Sequence, residues 1–186
     1  QDSAAIFAVD SEAHEMVPMQ TVGSEANRAS MIDLARRITS GGGGIFVYTG
    51  LKSGWKALQT SRAGTRHLIL LADAADAEQP GDGPGADYQS LLEEATRGGA
   101  TVSVIALGTE HDKDAAFLRD VAHRGKGRIF FTDRPVDLPG VFTAETLAVT
   151  RNAFISGQVP ARATGQWQEV SELPMDWIPL VDGYNL

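Results

Sequence analysis

Apolar residues follow two rhythms along this chain: short unbroken runs, and longer stretches in which they recur at every third or fourth position. The first run is AAIFAV at residues 4–9. Asp10 and Ser11 close it, EMVPMQ follows across a short polar turn, and the pair predicts a β-hairpin. Ser24 then stands in capping position before SEANRASMIDLARRI, where Ala26, Met31, Leu34, Ala35 and Ile38 fall on one side of an amphipathic helix that TSGGGG stops. After Gly44, IFVYTGLKSGWKALQ passes from a loop into a helix with Leu51, Trp55 and Leu58 on one face. From there strands and helices alternate. HLILLAD is a buried strand, ADYQSLLEEATRGG a helix ended by Gly98, TVSVIALG a second strand, DKDAAFLRDVAHRG a helix ended by Gly125, and GRIFFT a third strand. PVDLPGVFTAETLAVTRNAF is helical with an interruption near Pro139.

Continuously apolar strands alternating with helices imply a parallel sheet covered on both faces. The expected architecture is a doubly wound, Rossmann-like α/β domain over residues 1–155, its sheet mostly parallel with an antiparallel hairpin strand at one edge. Ligands of such folds bind where the carboxyl ends of the strands meet their connecting loops. Residues 156–186 change style, combining Pro160, Pro174 and Pro179 with Trp167, Trp177 and Tyr184 and keeping no period. They read as an extended tail that packs on the domain or links to another one. No internal repeat is present.

Composition narrows the partners. Over 186 residues, 16 Lys and Arg face 24 Asp and Glu, a formal charge of -8 that disfavours nucleic acid and anionic membrane surfaces. The absence of cysteine removes disulfides, thiolate metal ligands and a cysteine nucleophile together. No apolar run reaches the roughly 18 residues that a membrane-spanning helix needs. The opening QDSAAIFAVDSE has no initiator Met and enters a strand almost at once, which suggests a fragment of a longer protein.

Chemistry concentrates after HLILLAD, where Asp73, Asp76, Glu78, Asp82 and Asp87 follow the buried run in a stretch rich in turn residues. Two readings stand side by side: an oxygen-rich site at a strand end, or a solvated acidic loop with Asp73 capping a turn. The glycines at 41–44 lack the Lys-Ser/Thr or Gly-x-Gly-x-x-Gly spacing of a phosphate loop and read as a turn that brings backbone near the strand ends. His14, His67, His111 and His123 fall in different elements, with no zinc pair or hydrolytic elbow among them. Trp55 reads as core, Trp167 and Trp177 as anchors of the tail.

The stretches IFAVDSEAHEMVPMQ, the Gly-rich turn before IFVYTGL, LILLADAADAE, TVSVIALGTEHDKDAAFLRDVAHRGKGRIFFT and DLPGVFTAETL occur in an order that resembles a von Willebrand factor A (vWA) domain over about residues 4–154. The resemblance is to bacterial vWA domains of large membrane-anchored proteins, in which a glutamine-amidotransferase-like domain often follows. It implies a metal-ion-dependent adhesion site assembled from three loops, with Asp73 matching the Asp that ends the family's fourth strand, and Mg²⁺ or Mn²⁺ as the ion. Two departures stand against it. The family's first strand with its Asp-x-Ser-x-Ser loop is missing, and Gly43, Gly44 and Ile45 occupy the place of the loop Thr, with Thr49 too late and inside the next helix.

The resulting expectation is a non-enzymatic, adhesion-type interaction module whose face around Gly43, Gly44, Asp73, Asp76 and Glu78 binds a protein partner or a neighbouring domain of the same chain, with or without a divalent metal. A scaffold that positions an adjoining amidotransferase-like domain is the alternative, and a Mg²⁺-dependent hydrolase using Asp73 with Asp76 or Glu78 a third reading. The first strand of the family is central, so its loss predicts that upstream residues, the tail or a strand from another copy fills the gap.

Overall fold

The computed structural model describes residues 2–39, 44–75, 87–151, 154–159 and 181–185. The chain divides into two compact units, Gln1–Phe142 and Thr143–Leu186.

The first unit opens with the expected hairpin, β1 (Ser3–Val9) paired antiparallel with β2 (Ala13–Thr21). Asp10 shapes its turn by accepting from the Glu12 N–H (2.9 Å), with His14 Nε2 3.1 Å from the same carboxylate oxygen. The Glu12 amide, followed by His14, holds the Asp10 carboxyl below the usual carboxylate range. α1 (Glu25–Ala35) begins where Ser24 predicts, its Oγ accepting from the Asn27 N–H at 3.2 Å. Its expected apolar face is only partly buried, with Leu34 and Ala35 half-buried. Met31 is the only buried side chain of the helix, Ala26 is exposed, Ile32 is half exposed, and Ile38 lies beyond the helix end. The 3.6-residue rhythm of α1 is therefore matched only around Met31, Leu34 and Ala35.

α2 (Val47–Gln59) behaves differently. Val47, Leu51 and Trp55, spaced four apart, are all buried, and Thr49 lies within the helix as expected. Gly50 and Gly54 let this helix approach the strands closely. A Cβ on Gly50 would lie 3.5 Å from Val9 and 3.8 Å from Leu70, and one on Gly54 would strike Leu68. Gly50 thus faces both the hairpin and the parallel sheet.

That sheet has the order β3-β4-β5, with β3 Arg66–Asp73, β4 Ala100–Leu107 and β5 Lys126–Thr132, all parallel. β4 is buried continuously from Val102 to Ala106, as a central strand with two covered faces must be. Leu68, Leu70, Ala72, Val102, Val104 and Ala106 share one face, and against it pack Val47 and Leu51 of α2, Leu92 of α3 (Tyr88–Arg97), and Leu118 and Val121 of α4 (Ala115–Arg124). The architecture is a Rossmann-like α/β domain.

The β1–β2 hairpin is a separate two-stranded sheet. Among the described residues no strand pairs with both β1 and β3, so the expectation that the gap is filled is not met within them.

β5 enters the sheet through a bulge. Val102 pairs with Lys126 and Val104 with Ile129, leaving Gly127 and Arg128 opposite Ser103 alone. Ser103 is fully buried, and its Oγ accepts from the Arg128 N–H at 2.9 Å. A side chain therefore supplies an acceptor where the ladder is interrupted. Lys126, with φ 53°, absorbs the backbone kink.

Two links tie the helices. Trp55 Nε1 donates to Glu94 Oε1 of α3 at 2.9 Å, and Gln59 Nε2 donates to the same oxygen at 3.3 Å. Between α3 and α4, Tyr88 Oη and Arg124 Nε both donate to Asp120 Oδ2 (2.8 and 2.7 Å), and the Tyr88 ring meets Phe117 edge to face with centroids 5.0 Å apart. The Arg124 guanidinium, ahead of the Tyr88 hydroxyl, holds the Asp120 carboxyl below its ordinary range.

After a 3₁₀ turn at Pro135–Asp137 comes α5 (Leu138–Arg151), with Pro139 in its first turn, where the missing N–H costs no helical bond. The expected interruption thus lies just before Pro139. In the second unit, β6 (Phe154–Val159) pairs antiparallel with β7 (Val181–Asn185). The anchors Trp167 and Trp177 lie outside the described residues.

Candidate functional site at the strand ends

The carboxyl ends of β3 and β4 carry short turns that interlock through backbone. β3 ends at Asp73, whose Oδ1 accepts from the Ala75 N–H at 2.8 Å, an Asx-type turn in which the side chain takes the place of a backbone acceptor. Ala74 is fully buried. Its N–H donates to the Leu107 carbonyl and its carbonyl accepts from the Asp114 N–H, both at 2.9 Å. The turn after β3 is thereby stitched to both ends of the β4–α4 loop.

That loop has its own frame. Gly108 takes φ 132°, a conformation that disfavours side chains, and its N–H donates to the Thr132 carbonyl at 2.7 Å. A Cβ here would fall 2.6 Å from Asp112 Oδ2 and 3.0 Å from the Ala74 Cβ, so the Asp112 carboxylate and the β3 turn crowd around the bare glycine. Asp112 Oδ2 accepts from the Thr109 N–H at 2.6 Å, closing a tight turn. Asp114, at the N-cap of α4, is 5 % exposed. Further out, Glu110 accepts from Arg119 Nη2 at 2.9 Å, and the Arg119 guanidinium lies 4.9 Å from the Phe131 ring centre.

Of the residues singled out in the sequence, Asp73 is at the strand end as expected and caps its own turn. Gly44, with φ 94°, precedes α2. The Asp73 turn is bonded through Ala74 to Leu107 and Asp114. Gly43, Asp76, Glu78 and Asp82 lie outside the described residues. Asp87 caps α3, its carboxylate accepting from the Ser90 N–H (3.0 Å) and the Ser90 hydroxyl (2.6 Å), and these bonds, the hydroxyl first, hold its carboxyl below the usual range. It is thus tied to the helix start. The sequence reading passed over Asp112 and Asp114, although the Gly-Thr-x-x-Asp pattern at 108–112 is a turn signal in its own right.

A divalent ion of the adhesion-site type would need several oxygen donors converging with Asp73. Among the described residues no three His, Cys, Asp or Glu side chains come together to hold a metal ion, and one oxygen of Asp73 is committed to Ala75. The described donors do not fit such an ion.

No family model matches the sequence, and no curated protein does. The fold does have counterparts among solved structures. The conserved hypothetical protein BatB from Bacteroides thetaiotaomicron superposes with a TM-score of 0.59 at 13% identity, over 81% of this chain and 80% of that one. An aerotolerance-related membrane protein from Bacteroides fragilis, solved with multiple mutations to serine, gives 0.56 at 11% identity, over 79% and 80%. At such identities the likeness is one of fold. No helix among the described residues is long and apolar enough to cross a membrane.

Proposed function

We propose that this chain is a non-enzymatic interaction module of the vWA type, binding a protein partner or a neighbouring domain of its own parent protein through the strand-end face around Asp73. The observation that carries this reading is the interlock of the two strand-end turns. Ala74 bonds to Leu107 and Asp114, and Gly108 leaves room for Asp112, so two carboxylates ride on turns braced by a parallel sheet. A braced acidic face recognises basic groups with little ordering cost on its own side.

In the metal-free form of this reading, Asp73 and Asp112, each giving one oxygen to a backbone N–H, meet a partner's basic groups with the other. A membrane-associated, larger bacterial parent is part of the proposal. It draws support from the description of one structural neighbour as a membrane protein.

The test uses the full-length protein with a photo-crosslinking residue at Glu110, beside the face. Asp73→Asn with Asp112→Asn removes both charges and keeps an acceptor oxygen at each turn. The expected result is at least a tenfold loss of crosslinked partner with unchanged thermal stability. Undiminished crosslinking by the folded variant would overturn the proposal and favour a scaffold that positions an adjoining domain. Crosslinking abolished by a chelator and restored by Mg²⁺ or Mn²⁺ would overturn the metal-free form and place an ion in the contact.

A further inference from the structure

We draw no further inference here: the strongest candidate, the backbone edges of β1 and β3 that pair with no further strand beneath α2 among the described residues, carries nothing because nothing in the structure shows what covers them.

Discussion

The two ends of the parallel sheet are built on opposite plans. At the amino end of β3, long side chains reach between elements. The Arg66 guanidinium lies 5.9 Å from the Trp55 ring centre and donates to the Gly98 carbonyl, while Trp55 in turn donates to Glu94. Gly98 is bare because a Cβ there would come within 2.5 Å of the indole. At the carboxyl end the bonds are short and largely backbone, and the side chains that matter are carboxylates closing turns of a few residues. One end spends its large side chains on holding helices to strands. The other is braced mainly through backbone, with Arg119 linking Glu110 and Phe131 further out. The proposed recognition face thus lies at the opposite end of the strands from the Trp55–Glu94 and Arg66–Gly98 links, on the edge where ligands of such folds gather.

Trp55→Ala should break the contrast most severely. It removes a buried indole together with its bond to Glu94, and a loss of about 3 to 5 kcal/mol is expected in urea unfolding followed by circular dichroism. A loss below about 1 kcal/mol, within the range of ordinary surface changes, would show that the amino end is not where stability is concentrated. Ser103→Ala, midway along β4, takes the buried acceptor from the Arg128 amide and should cost about 0.5 to 1.5 kcal/mol, with the Arg128 N–H becoming faster in hydrogen exchange. Slow exchange retained there would mean the bulge finds another acceptor.

Asp73→Ala should lose only the turn bond to Ala75, about 0.5 to 1.5 kcal/mol by thermal melting. The same variant should weaken partner binding at least tenfold. Equal, small effects on both would erase the distinction between the two ends. The smallest effect concerns Asp120. Its carboxyl is held below the usual range in the folded protein, so the stabilisation is fully present above its unfolded pKa and fades as the pH falls through that value, about 4, towards the folded one. For a pair this exposed the contribution is about 0.2 to 1 kcal/mol. The gap in melting temperature between wild type and Asp120→Asn should therefore narrow from pH 6 to pH 3, and a gap that stays constant would contradict the assignment.

The sequence made the alternating elements legible because burial leaves a period. β3 carries the apolar run Leu68–Ala72, β4 is apolar but for Thr101 and Ser103, β5 holds Ile129–Phe131, α2 spaces its core residues by four, and the Ser24 cap is a local signal with a local bond. α1 shows the limit. Apolar spacing reports which side chains could be buried together, whereas burial also requires a partner surface, and in α1 only Met31 is buried. Contacts between residues far apart in sequence left no local trace. Trp55 and Glu94 are 39 positions apart, and Ser103 and Arg128 are 25 apart. Of the candidate site, Asp73 was legible as a strand-end residue and its turn-capping alternative matches the observed bond. Asp112 and Asp114 were missed because, read locally, they belong to the start of a helix.

The strand order has a consequence for how this protein is made. β3, β4 and β5 lie side by side in the order in which a ribosome releases them. Each new strand can dock on the one completed before it, and none must thread between partners already joined. Slow, long-range pairing is what exposes nascent parallel sheets to aggregation. Here growth can be vectorial, with α3 and then α4 emerging in time to cover each addition.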